Sequence, residues 1–249
     1  MGKRPQKNRT PHLHAVHEKG FPKDQGDDWH PLDDQIDRNR DKKFIKRVKP
    51  RTAGQQALMD AIQSHNLSLA IGPAGTGKTY LAISAAVEAL EDGKVERIVL
   101  SRPAMEAGES IGFLPGDMHE KMAPYLRPLY DALGDRMGGK RVRQYLEDGT
   151  IEIAPVGFMR GRTLNNSFVV IDEAQNCTYA QLKMLLSRLG WNSTMVITGD
   201  PDQSDLLDGI SGLGPIADRL EQVDGISVSR LTQTDIVRHP LVAKMLDVI

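Results

Sequence analysis

From about residue 50 onward, short apolar runs alternate with stretches of helical period, and before that neither pattern occurs. Residues 67–71, 97–101, 151–154, 168–171 and 194–198 are rich in aliphatic side chains, as in Phe168-Val169-Val170-Ile171. All five predict strands, and continuous apolar runs such as 97–101 mark strands covered on both faces, as in a parallel sheet. A sixth strand is expected near residues 226–231. Helical spacing appears through Ala57, Leu58, Ala61 and Ile62, and again from Tyr80 to about Glu91-Asp92, where Gly93 stops it. Thr178 and Gln181 have the capping-box form and open a helix through Leu182, Leu185, Leu186 and Leu189, ended by Gly190. Further helices are expected near residues 212–220 and from Leu241 onward. Gly108, Gly112, Pro115, Gly116, Pro124 and Pro128 punctuate residues 102–150, which read as an insertion of loops and small helices. Strands alternating with helices predict an α/β fold, a parallel sheet with helices on both faces.

Composition adds a boundary. Residues 1–48 hold few aliphatics and many charges, so they cannot bury enough surface to fold alone and read as a disordered arm ahead of one domain, 49–249. Residues 1–50 carry 13 Lys/Arg against 8 Asp/Glu, and residues 51–249 carry 19 against 25. A basic arm on a mildly acidic body suits nucleic acid or an acidic partner, and equally a solvated tail. His12, His14 and His17, like Asp33, Asp34, Asp37 and Asp41, read as polar tail rather than metal ligands. No run is long and apolar enough for a membrane span, the N-terminus lacks an apolar signal core, and the single cysteine, Cys177, fits a reducing compartment. A cytoplasmic protein is the expectation, with Cys177 a buried, inert thiol.

The candidate chemistry begins after the first strand. Gly72-Pro73-Ala74-Gly75-Thr76-Gly77-Lys78-Thr79 has the pattern G-x-x-x-x-G-K-[ST] between an apolar strand and a helix. Glycines let the backbone curl so that its N–H groups face a polyphosphate, and the helix N-terminus adds positive potential. Lys78 is expected to reach the β- and γ-phosphates of ATP, and the Thr79 hydroxyl to hold Mg²⁺. A later strand ends in Asp172-Glu173-Ala174-Gln175, two acids suited to separate tasks: Asp172 to bind Mg²⁺ and Glu173 to polarise the attacking water. The next strand ends in Thr198-Gly199-Asp200-Pro201-Asp202-Gln203. Ligands in open parallel sheets sit beyond the carboxyl ends of strands, so Gln203 is expected to face the same crevice and sense the γ-phosphate. Arg102 follows a strand too, with structural and phosphate-facing roles both open.

Taken in order, these motifs resemble motifs I, II and III of superfamily-one helicases. Residues 101–109, 112–117, 121–131 and 235–242 resemble the signature blocks of the PhoH-like proteins, so the resemblance spans about residues 50–249. It implies a P-loop NTPase with a single RecA-like core, a cytoplasmic ATPase associated with phosphate starvation. Some members carry an N-terminal PIN ribonuclease domain and are linked to RNA unwinding; about 50 polar residues are too few for such a domain here. A second RecA-like domain is likewise not expected, which implies that an arginine completing the site comes from a neighbouring subunit in a ring, a hexamer among the candidates. Arg238 matches that position, and Gln55, with Gln56 as adjacent rival, resembles the glutamine that contacts adenine.

Two functions follow. One is Mg²⁺-dependent ATP hydrolysis coupled to remodelling of RNA or single-stranded DNA by a homo-oligomer. The other is a non-motor assembly or phosphate-stress protein switched by nucleotide. Five Phe, five Tyr and two Trp leave few stacking platforms for bases, while Lys121, Arg127, Lys140, Arg141 and Arg143 are candidates for a basic lumen.

Overall fold

The computed structural model describes residues 48–103, 118–207, 209–237 and 245, with the backbone alone at 118–124. The six expected strands are all present: β1 (Leu67–Ile71), β2 (Arg97–Arg102), β3 (Ile151–Pro155), β4 (Ser167–Ile171), β5 (Thr194–Gly199) and β6 (Ile226–Arg230). They form one sheet in the order β3-β2-β4-β5-β1-β6, and every neighbouring pair is parallel. The period of two along each strand divides the core. Phe168 and Val170 face one layer with Ala70, Ile98, Leu100 and Val196, whereas Val169 and Ile171 face the other with Leu69, Val99, Met195 and Ile197.

Four helices cover the first face: α1 (Ala53–Ser64), α2 (Lys78–Glu91), α3 (Met118–Met137) and α4 (Gly139–Glu147). Two cover the second, α5 (Tyr179–Leu186) and α6 (Leu213–Leu220). This is the doubly covered parallel sheet that the unbroken apolar strands require.

Two expectations change. The punctuation of residues 102–150 predicts only small helices, yet α3 runs for 20 residues through Pro124 and Pro128. Each proline removes one amide donor, but Leu126, Leu129, Leu133 and Met137 are buried against the layer containing α2, and that burial outweighs the lost bonds. The α5 helix stops at Leu186 rather than Leu189. Beyond it the chain bridges to Leu164: Leu164 N donates to Arg188 O (2.9 Å) and Gly190 N to Leu164 O (3.2 Å), so these groups serve an extended pairing instead of a helical turn. The arm over 1–47, most of the 101–117 blocks and the C-terminal helix apart from Met245 lie outside the described residues.

Candidate active site

The phosphate loop leaves the carboxyl end of β1 and feeds α2, as its sequence requires. Gly77 caps the helix at φ 84°, a left-handed conformation that disfavours any side chain. A Cβ on Gly72 would stand 2.3 Å from Leu231 O, so only glycine lets the loop leave the sheet beside β6. Lys78 is buried and its ammonium donates to Gly72 O and to Pro73 O (2.9 Å). Burial lowers its proton affinity, and Asp200, Glu173 and Asp172 oppose that shift. An anionic phosphate in the loop would act in the same sense as those carboxylates.

Strand order brings the acids to the loop. β5 lies between β1 and β4, so Thr198 near its end comes, like Thr79, within hydrogen-bond reach of Asp172. Both hydroxyls donate to Asp172 Oδ1 at 2.6 Å, from residues 93 and 26 positions away. Asp172 is buried, and a buried carboxylate needs such donors. One hydroxyl beside one carboxylate suits Mg²⁺, which keeps several waters and takes few protein ligands. No cluster of three or more His, Cys, Asp or Glu suited to a metal occurs among the described residues.

Glu173 adopts a left-handed backbone conformation (φ 53°, ψ 42°), and its side chain is about one-third exposed. Its Oε2 accepts from Gln175 Nε2, and its Oε1 lies 3.4 Å from Arg102 Nη2. Gln175 in turn accepts at Oε1 from Asp200 N (3.1 Å). Further bonds join the same two loops: Ser204 Oγ to Gln175 O (3.1 Å), Asn176 Nδ2 to Asp205 Oδ2 (2.9 Å) and Asp205 N to Asn176 Oδ1 (2.9 Å). The loop carrying Gln203 is thereby fastened to the turn carrying Glu173.

Ala74, Gly75, Gly77, Lys78, Thr79, Asp172, Glu173, Asp200 and Gln203 line one cavity of about 280 Å³. Through Gly75, Gly77 and Tyr80 it adjoins a more apolar cavity of about 580 Å³ lined by Val48, Pro50, Gln55, Leu81 and Val237. Of the two rival glutamines, Gln55 faces this space. It is buried, donates to Thr76 O (2.9 Å) and accepts from Arg51 N (2.8 Å), whereas Gln56 bonds Asp60 on the exposed face.

Arg238 lies outside the described residues. Val237 before it donates its amide to Gly75 O (2.9 Å). Cys177 is buried, and burial pushes its thiol up to about 12, which leaves it inert. Of the suggested basic lumen, Arg141 is already paired with Glu91 (2.9 Å) and hydrogen-bonded to Tyr145. Sequence reasoning missed Thr198, Gln175 and Asp200, although all three stand inside the quoted strand-end motifs. It left the role of Arg102 open, and the structure turns that residue toward the acids.

Comparisons with known proteins give the family. Residues 47–249 match the family model described as "PhoH-like protein". A PhoH-like protein of Bacillus subtilis is 55% identical over 203 residues, 81% of this chain and 64% of its own length. One from Mycobacterium tuberculosis is 52% identical (81% and 58%), and Protein PhoH of Escherichia coli is 43% identical over 210 residues (83% and 59%). The chain thus spans about three-fifths of the length of these relatives. Among solved structures, the large terminase of a thermophilic bacteriophage superposes with a TM-score of 0.49 at 10% identity, over 80% of this chain and 50% of that one. No helix among the described residues is long and apolar enough to cross a membrane. With a family match over four-fifths of its length and a phosphate loop, acid pair and glutamine loop gathered at the carboxyl ends of the central strands, this chain belongs to the PhoH-like protein family.

Proposed function

We propose that this protein is a Mg²⁺-dependent ATPase whose turnover remodels RNA or single-stranded DNA within a ring of identical subunits. One observation carries the hydrolytic part: Lys78, Thr79, Asp172, Glu173 and Gln203 line the same small cavity. Bound Mg²⁺, held by Thr79 and by Asp172 directly or through water, would supply charge neutralisation at the β- and γ-phosphate oxygens. Lys78 exchanges its bonds with Gly72 O and Pro73 O for phosphate oxygens, a swap that restores a fully charged partner to a desolvated ammonium. Glu173 takes the proton of the attacking water, and Gln203 reads the γ-phosphate. The adjoining cavity takes the base, with Gln55 offering its second N–H and remaining lone pairs to the adenine edge. Arg238 completes the site from a neighbour, where an arginine finger is worth on the order of 10³–10⁵ in rate.

The test is steady-state hydrolysis by wild type and Glu173→Gln, each with and without single-stranded RNA or DNA at several salt concentrations. Expected are loss of turnover in the variant and stimulation of the wild type by nucleic acid. Normal hydrolysis by Glu173→Gln removes the general-base role, and a rate indifferent to nucleic acid removes the coupling. The engagement of Arg141 with Glu91 and Tyr145 favours a second reading, a nucleotide-switched assembly without strand separation. Light scattering with ATP and ADP, together with strand displacement, separates the two.

A further inference from the structure

We propose that Arg102 is a positioning residue that sets the orientation of the Glu173 carboxylate through a fork shared with Asp172. The inference rests on Glu173 being the general base, and it adds the residue that holds that base in place.

Arg102 is the last residue of β2, and the strand register brings it to the acids. β2 pairs with β4 so that Ser101 stands opposite Ile171, and Asp172 N donates to Ser101 O at 2.8 Å. One residue on, the guanidinium reaches over the carboxyl end of β4. Its Nη2 lies 3.4 Å from Glu173 Oε1 and its Nη1 lies 3.9 Å from Asp172 Oδ2. One planar group therefore hydrogen-bonds Glu173 through one nitrogen and lies within ion-pair reach of Asp172 through the other.

The two acids need different help. Asp172 is buried and already fixed by the hydroxyls of Thr79 and Thr198. Glu173 has no such cage: its side chain is about one-third exposed. A free glutamate side chain carries roughly 1.5–2 kcal/mol of rotamer entropy, so packing or hydrogen bonds must choose its geometry. Gln175 holds Oε2, and Gln175 is itself buried and tied to Asp200 N. Arg102 supplies the restraint on Oε1. Its side chain is about one-fifth exposed, so this contact is less screened than a surface ion pair. Each carboxylate oxygen keeps a second lone pair, so an oriented Glu173 still accepts a proton from water. Lysine would carry the charge but not the planar fork spanning both acids.

The experiment compares wild type, Arg102→Gln, Arg102→Lys, Glu173→Gln and the Arg102→Gln/Glu173→Gln double variant, measuring kcat, KM for ATP, affinity for a fluorescent ADP analogue and the thermal midpoint. Misplacing a reacting group by about 1 Å costs about 100-fold, so Arg102→Gln should lose roughly 10–100-fold in kcat. KM, ADP affinity and thermal midpoint should stay near wild type, and Arg102→Lys should recover part of the rate. The double variant should be no slower than Glu173→Gln alone, because a residue that acts through Glu173 has nothing left to position. Millimolar guanidinium, but not sodium chloride, should partly restore an Arg102→Ala variant. A wild-type kcat in Arg102→Gln overturns the proposal. So does a further full loss on top of Glu173→Gln, or a loss accompanied by equal weakening of ADP binding. Hydrolysis by Glu173→Gln at the wild-type rate instead overturns the general-base reading beneath it, whatever Arg102 does.

Discussion

Asp172 shows how much of the site depends on single hydroxyls. Thr198 and Thr79 both donate to its Oδ1, and Thr198 is fully buried. Thr198→Val keeps the shape and removes one donor. A hydrogen bond to a charged group contributes about 1.5–3 kcal/mol, so the variant should lose stability of that order in denaturant titration. It should also need more Mg²⁺ for half-maximal turnover, since an under-supported carboxylate is less well aligned for the metal. Unchanged stability would mean that Asp172 finds another donor. The sequence made Asp172 legible, because an apolar strand ending in two acids is a local pattern. Thr198 was not, since its role depends on a carboxylate 26 residues earlier that only the sheet brings near.

At the scale of elements, the turn Gln233–Asp235 is the clasp that closes β6 onto α1. Asp235 accepts from Thr232 N (2.9 Å) and from Gly54 N (3.2 Å), capping its own turn and the first turn of α1 together. The Thr232 backbone bond, with help from Thr52 and Gly54, holds its carboxyl below the ordinary value. For a carboxylate depressed in the fold, the stabilisation is present above the unfolded value of 3.8 and is lost as pH falls through the folded one. Asp235→Ala should therefore destabilise by about 1–2 kcal/mol near neutrality. The gap from wild type should close in strong acid, as read by urea unfolding at both pH values. A gap that persists in acid would assign the loss to packing. The same scale explains the α3 surprise. Proline counts by local rule as a breaker, and only the apolar layer under α3 shows why the helix continues.

For the whole molecule, the question is whether one chain makes a complete site. The described cavity presents Lys78 as its cation on the phosphate side, while Arg102 is turned to the acids. Arg238 is proposed to come from a neighbour, although Val237 is bonded to Gly75 of its own chain. Mixing Lys78→Ala with Arg238→Ala subunits decides this. If the arginine crosses the interface, equal mixing should recover hydrolysis at about a quarter of the sites, measured as phosphate release. No recovery would place the arginine in its own site.

The sequence by itself determined the patterns that are written locally: the phosphate loop from Gly72 to Thr79, the acids at a strand end, the loop that carries Gln203, six strands and their parallel class. Glycine conformations, apolar runs and strand-end positions are short-range signals, so a single chain carries them in full. The tertiary structure alone decided that β5 stands between β1 and β4, that Gln55 rather than Gln56 faces the cavity, and that Arg102 meets Glu173 across 71 residues. The central strands are similarly apolar, so pattern does not encode which lies beside which. Helix crossovers and two-sided burial settle that order, and with it the residues that support the site.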